Sequence, residues 1–145
     1  PIEALEIAYP LRVERYELRP DSSGAGRWRG GLGIRRDIRV VGHRARLSLL
    51  GERRITRPYG VLGGEPGETG SDFIITDGDG REQRVKGKGS ITLEPDWIIS
   101  IRTPGGGGYG SPSERPKELV LKDYREGRIS AEYVLRHYGF DPRGG

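Results

Sequence analysis

Along the first two thirds of the chain, apolar and polar residues alternate in short runs, and near residue 113 the alternation gives way to a helical period. Residues 34–41 place Ile34, Ile38 and Val40 on one side and Arg35, Asp37 and Arg39 on the other. Residues 44–50 repeat the pattern with Ala45, Leu47 and Leu49 against Arg44, Arg46 and Ser48. A period of two predicts half-buried strands, and Gly42-His43 between them predicts a hairpin turn. In residues 11–19 the alternation slips, with Leu11 and Val13 on one face and Tyr16 and Leu18 on the other, which predicts a bulge or a strand covered on both faces. Short strands at 73–76 and 83–85 flank Asp77-Gly78-Asp79-Gly80, a hairpin signal, and a further strand is expected at 91–93. The central strand carries Trp97, Ile99 and Ile101 on one face and Ile98 and Ser100 on the other.

Residues 1–10 suit one helical turn or an extended lead-in. After residue 113, Pro116 fits a first helical turn, Glu118, Lys122 and Glu126 follow at i,i+4, and Gly127 stops the helix. Ser130 then caps a second helix whose stripe of Tyr133, Val134 and His137 ends at Gly139. The expected fold is therefore mainly β (α+β): an antiparallel β-sandwich or barrel-like module with two short C-terminal helices. Residues 1–112 form a β-rich module with long Gly-rich loops, and 113–145 a helical segment of the same domain.

Composition sharpens this picture. Only 32% of the 145 residues are apolar against 32% charged, so the core is thin and part of the surface is expected to face other protein. Twenty-five Gly and ten Pro suit short strands with many turns. The net charge of +4 comes from interleaved acids and bases, not from the one-signed stripe that nucleic acid binding requires. There is no cysteine and no apolar run of membrane-spanning length, and a cytoplasmic location is expected. The chain begins at Pro1, so either an initiator has been removed or the sequence is a piece of something longer.

Candidate chemistry concentrates in three loops. Gly105, Gly106, Gly107 and Gly108 can take positive φ and present bare amides to a partner, substrate or phosphate. Gly105-x-Gly107-x-x-Gly110 matches a dinucleotide fingerprint in spacing, but Pro104 and Pro112 bracket it and no second parallel strand follows. Arg27 and Arg29 flank Trp28 in a glycine-rich turn and are secondary candidates for an anion. The long loop 51–70 holds Glu52, Arg53, Arg54 and Arg57, and Arg53 is the candidate charge stabiliser, against a structural reading in which Glu52 pairs with an arginine to fix the loop. Asp77-Gly78-Asp79-Gly80 lacks calcium-ligand spacing, and two isolated histidines, His43 and His137, build no metal site. His137 reads as a packing residue, with no carboxylate beside it in sequence.

Several long motifs together resemble one family. P-I-E-A-L-E-x-x-Y-P-L-R-V, Y-E-L-R-P-D-S-S-G-A-G-R-W-R-G-G-L-G, G-E-R-R with P-Y-G-V-L-G-G, T-P-G-G-G-G-Y-G-S-P, and K-D-Y-R-E-G-R-I-S before Y-G-F look like the C-terminal region of the hydantoinase B/oxoprolinase family. The resemblance implies a part in ATP-dependent opening of cyclic amides such as 5-oxoproline or hydantoins, or in related ATP-dependent ketone carboxylation. It also implies an A-type partner that binds ATP and Mg, and a divalent metal in the upstream part of the B-type subunit, with none bound by this chain. The role expected here is assembly and active-site shaping. A non-catalytic interaction module is the alternative from another class.

Overall fold

The computed structural model describes residues 1–70 and 73–144. Its seven strands are β1 (Leu11–Leu18), β2 (Ile34–Val40), β3 (Ala45–Leu50), β4 (Phe73–Thr76), β5 (Glu82–Val85), β6 (Lys88–Leu93) and β7 (Ile98–Arg102). Five of them form a sheet in the order β1-β2-β7-β4-β5, and β3 pairs with β6 in a second sheet. Every strand pairing is antiparallel. The architecture is mainly β with three short helices. The sheets stay open, so the sandwich expectation holds and the barrel does not.

The slipped alternation in β1 is a real irregularity, because its register with β2 shifts between Val13 and Arg15. The Asp77-Gly78-Asp79-Gly80 hairpin joins β4 to β5, and β7 is the middle strand of its sheet. The expected hairpin between residues 34–41 and 44–50 does not form. Gly42 (φ 65°) instead carries the chain from one sheet to the other, where Ala45 faces Leu93 and Leu47 faces Ile91. Alternation alone shows that a strand has one apolar face; it is blind to which strand lies beside it. Crossing over buries both apolar faces at once: Val40, Ile75 and Ile99 of the large sheet pack with Leu93, Ala45, Leu47 and Ile91 of the small one.

The opposite face of the large sheet is covered by ion pairs. Buried Asp37 lies between Arg15 and Ser100 in register, and the Arg35 guanidinium reaches it at 2.8 Å. Burial alone raises the Asp37 carboxyl, but the hydrogen bonds from Arg35 and Ser100 and the charge of Arg15 prevail and hold it below the usual carboxylate range.

Three helices complete the fold. α1 (Ile2–Ala8) buries no residue and is tied to β1 where the Val13 amide donates to Glu6 Oε1 at 2.8 Å. A 3-10 turn (Pro112–Glu114) leads into α2 (Lys117–Arg125), and α3 (Ala131–Tyr138) follows. Ser130 Oγ accepts the Tyr133 amide at 3.1 Å, while Gly127 and Gly139 take the left-handed conformation past the helix ends, as their positions predict. Val120, Ile129, Tyr133 and Val134 from this part pack around Ala25 in a second core, separate from the inter-sheet one.

Ile75 is 1% exposed at the centre of the inter-sheet core. Ile75→Ala should lower unfolding free energy by about 2–5 kcal/mol in urea denaturation followed by circular dichroism. A loss close to zero would mean that the sheets do not share that core.

Candidate functional site

Between the two cores lies a bundle of three segments, residues 22–33, 58–68 and 104–110, packed backbone against backbone. Gly24 donates to the Gly106 carbonyl at 2.8 Å, Gly106 to Gly31 at 2.8 Å, Gly105 to Glu68 at 3.2 Å, and Gly108 to Glu65 at 2.9 Å. Glu65 donates to Ala25 and Glu68 to Ser22, each at 2.8 Å, so the two outer segments are also bonded to one another. None of the four consecutive glycines takes positive φ, which corrects the reason expected for them. Their requirement is space. A Cβ on Gly105, Gly107 or Gly108 would stand under 3.0 Å from the carbonyl of Ser22, Tyr59 or Ala25 respectively, and one on Gly24, Gly30, Gly60 or Gly64 would meet backbone as closely. At Gly106 the nearest atom is the Gly31 nitrogen, at 3.2 Å.

Three of the amides expected to stand bare for a substrate or phosphate are engaged by the same bonds. The N–H groups of Gly105, Gly106 and Gly108 are consumed by internal carbonyls. The run of glycine is a spine for the other two loops.

Arg29 is likewise drawn inward. Its Nε lies 2.9 Å from Asp123 Oδ2, with both side chains buried, and Arg115 and Arg128 reach the same carboxylate at 2.7 and 3.4 Å. Burial raises the Asp123 carboxyl, and the hydrogen bond and charge of Arg29, with those of Arg115, overcome it and hold the group below its ordinary range. Asp21 and Ser23 add further ties to the helices: Asp21 Oδ1 accepts the Ser130 amide at 2.7 Å, and the Tyr133 hydroxyl donates to the Ser23 carbonyl at 2.6 Å. Arg27 remains at the surface, 3.8 Å from Glu114.

Arg53 lies in the long loop that follows β3. It is exposed, holds φ 55°, and its carbonyl accepts the Gly70 amide at 2.8 Å. It lines an open groove with Arg54, Ile55, Lys86 and Lys88, a concentration of positive charge suited to an anion. Arg54 is itself anchored, donating to the Val85 carbonyl at 3.0 Å and lying over the Phe73 ring. Arg57 pairs with Glu68 within the same long loop.

A third feature was invisible in the sequence. A cleft of about 410 Å³ between α3 and the bundle is lined by Arg19, Arg57, Glu65, Glu68, Arg136 and His137 among others, and His137 Nδ1 contacts Glu65 Oε2. The sequence expectation of a histidine without a carboxylate fails because the partners are 72 positions apart. No spacing rule could have found this pair; the bundle's pairing of 58–68 with 22–33 creates it.

Among the described residues no three His, Asp or Glu side chains gather to hold a metal ion. No helix among the described residues is long and apolar enough to cross a membrane.

The fold is a two-sheet module closed by helices, with a bundle of glycine-rich loops packed backbone against backbone. The sequence profile of the hydantoinase B/oxoprolinase family matches residues 1–112, and the chain belongs to that family. It is 38% identical over 141 residues to the B-type subunit of a putative D-/L-hydantoinase from Pseudomonas sp. strain NS671, covering 96% of this chain and 24% of that one. Its fold matches the crystal structure of the ATP-dependent caprolactamase of Pseudomonas jessenii with a TM-score of 0.83 and 33% identity, over 100% of this chain and 26% of that one. It also matches nucleotide-free acetone carboxylase with a TM-score of 0.81 over 96% of this chain and 22% of that one, at 22% identity, a likeness of fold alone. The chain spans 11% to 24% of the length of the relatives it matches across nearly its whole extent.

Gly105→Ala and Gly108→Ala should each destabilise severely, by about 3 kcal/mol or more, because no rotamer relieves a Cβ set against backbone. Gly106→Ala should be clearly milder, and thermal melts of the three variants that coincide would overturn the packing explanation.

Acid should expose the Asp123 cluster. Because the folded carboxyl lies below its unfolded value, its stabilisation is complete above about pH 4 and is lost as pH falls through the lower, folded value. Asp123→Asn, which leaves buried arginines without their counter-charge, should cost about 3–5 kcal/mol at neutral pH and flatten that acid-side decline. An unaltered stability profile against pH would mean that the cluster contributes nothing to the acid response.

Proposed function

We propose that this chain is the C-terminal module, or a small subunit, of an ATP-dependent cyclic-amide hydrolase of the hydantoinase and 5-oxoprolinase type. The observation that carries this reading is the near-complete match of the module to the B-type chain of a putative hydantoinase and to caprolactamase, at 38% and 33% identity. Its part is assembly and shaping of the active site, with the rest of a B-type subunit and an A-type partner that binds ATP and Mg. The divalent metal belongs to the upstream part of the B-type subunit, and the assembly to the cytoplasm. A component of a ketone carboxylase is the second reading, favoured only by the shared fold with acetone carboxylase.

The glycine bundle supports a shaping role. It is held almost wholly by main-chain bonds and space restrictions, so the loops it organises keep one position. Pre-organised loops can complete a site whose reacting groups lie on other chains. Of the residues in this chain, Arg53 is the one we assign to substrate or phosphate charge, on the strength of its exposure and the basic groove beside it. We assign Arg29 and Gly105, Gly106, Gly107 and Gly108 to the scaffold, and Arg27 to its rim.

The test is native mass spectrometry of the protein from its own cells, followed by an assay for ATP hydrolysis coupled to ring opening of 5-oxoproline, hydantoin or a lactam. Association with B-type and A-type chains and a coupled activity are expected; a lone chain of 16.1 kDa without either would overturn the assignment. Within the active assembly, Arg53→Ala should lower turnover by about 10–100-fold without dispersing the complex. Unchanged turnover would remove Arg53 from the site.

A further inference from the structure

Five large apolar side chains that belong to neither core are grouped on the glycine bundle. Trp28 is 59% exposed, Tyr59 72%, Val61 44%, Leu62 71% and Tyr109 49%. The backbones of Trp28 and Tyr109 exchange two hydrogen bonds of 2.9 Å, which sets their side chains on the same side of the ladder. Val61 flanks Tyr109 from the other edge through a parallel bridge, donating to Gly108 and accepting from Gly110. Tyr59 lies two residues earlier on that segment.

Leu62 follows Val61 at the tip of a turn closed by the Gly64 amide on the Val61 carbonyl at 3.0 Å. Its φ of 49° lies in the left-handed region, where a branched apolar residue is a poor choice for a solvent-facing turn. Glycine or asparagine would relieve the backbone, so the turn itself gives no reason for a leucine there.

No member of the group is charged, while Arg27 and Glu114 pair beside it. An apolar centre with tryptophan and tyrosine, edged by charge and mounted on a backbone that cannot shift, has the anatomy of a permanent interface. The length of the relatives supplies the occupant. In the B-type hydantoinase chain and the caprolactamase β subunit, the match accounts for 24% of a single chain, so about three quarters of that polypeptide lies outside the module. A partner joined in one chain, or always assembled with it, meets the module at high effective concentration and favours an apolar, obligate contact over the polar surfaces of transient ones.

We propose that the face formed by Trp28, Tyr59, Val61, Leu62 and Tyr109 docks the remaining part of a B-type subunit. This rests on the reading of the chain as a B-type module, and it adds which surface makes the joint.

The test compares wild type with Leu62→Arg and Leu62→Gly in the assembly isolated from source cells, with a benzoylphenylalanine photo-cross-linker at position 62 as a separate probe. Leu62→Gly relieves the left-handed backbone, so its melting temperature should hold or rise while its association with the B-type remainder weakens. Leu62→Arg should weaken that association by about tenfold or more. The cross-link should fall within the B-type sequence outside this module. Cross-links to the A-type subunit or to a second copy of this chain overturn the proposal, as do variants that associate like wild type where the module is a separate chain; where it is joined covalently, the cross-link decides. If wild-type chain is found with no B-type sequence at all, the reading of function falls and the docking surface falls with it; if B-type sequence is present but position 62 stays unprotected, only the docking surface does.

Discussion

Main chain packed on main chain is the constraint on which the rest of this molecule depends. The segment 104–110 threads between two loops at distances no side chain permits, and its carbonyls and amides are shared out among them. Four glycines in a row carry a large entropic cost when ordered. That cost is offset by a dense set of backbone hydrogen bonds in a region where only small side chains, such as Ala25, reach the interior. The bundle also contributes Ala25 to the helical core around Val134.

The helices are locked to this spine by polar ties in addition to the apolar core around Ala25. One carboxylate, Asp123, gathers Arg29 from the bundle, Arg115 from the start of the helical part and Arg128 from the loop between helices. Asp21 and the Ser23 carbonyl hold the beginning and the first turn of α3. A buried ion cluster of this kind contributes modest net stability, but its geometry admits few alternatives, so it fixes orientation. The orientation of α3 in turn places His137 against Glu65 and gives the polar cleft its walls.

Such rigidity suits a component better than a catalyst that works alone. No metal-binding cluster is present among the described residues, and the amides of Gly105, Gly106 and Gly108 are occupied. What the surface offers is an exposed basic groove at Arg53 and, on the bundle, aromatic side chains without a covering layer. Both features fit the proposed part of a module within a larger assembly, and the B-type hydantoinase chain and the caprolactamase β subunit are about four times its length.

Much of this fold was legible in the residue pattern, because strand alternation, the Asp-Gly hairpin, the Ser130 cap and the stopping glycines are local. Each is decided by the energetics of a few consecutive residues, and each appears where the pattern put it. The motifs identified the family for the same reason, being long ordered strings. Pairing between distant segments was not legible. Residues 34–40 and 45–50 read as a hairpin because period two cannot name a partner, and burial of both apolar faces across two sheets chose otherwise. Glycine runs read as conformational freedom and as a close approach of backbone or ligand, and only the contacts show that it is backbone that meets them. Arg29 read as a surface fork and His137 as a solitary ring until tertiary contacts brought Asp123 and Glu65 to them. The sequence by itself determined the local elements and the kinship; only the tertiary structure decided which polar groups are spent inside the protein and which remain for a partner, because that depends on contacts made across many tens of residues.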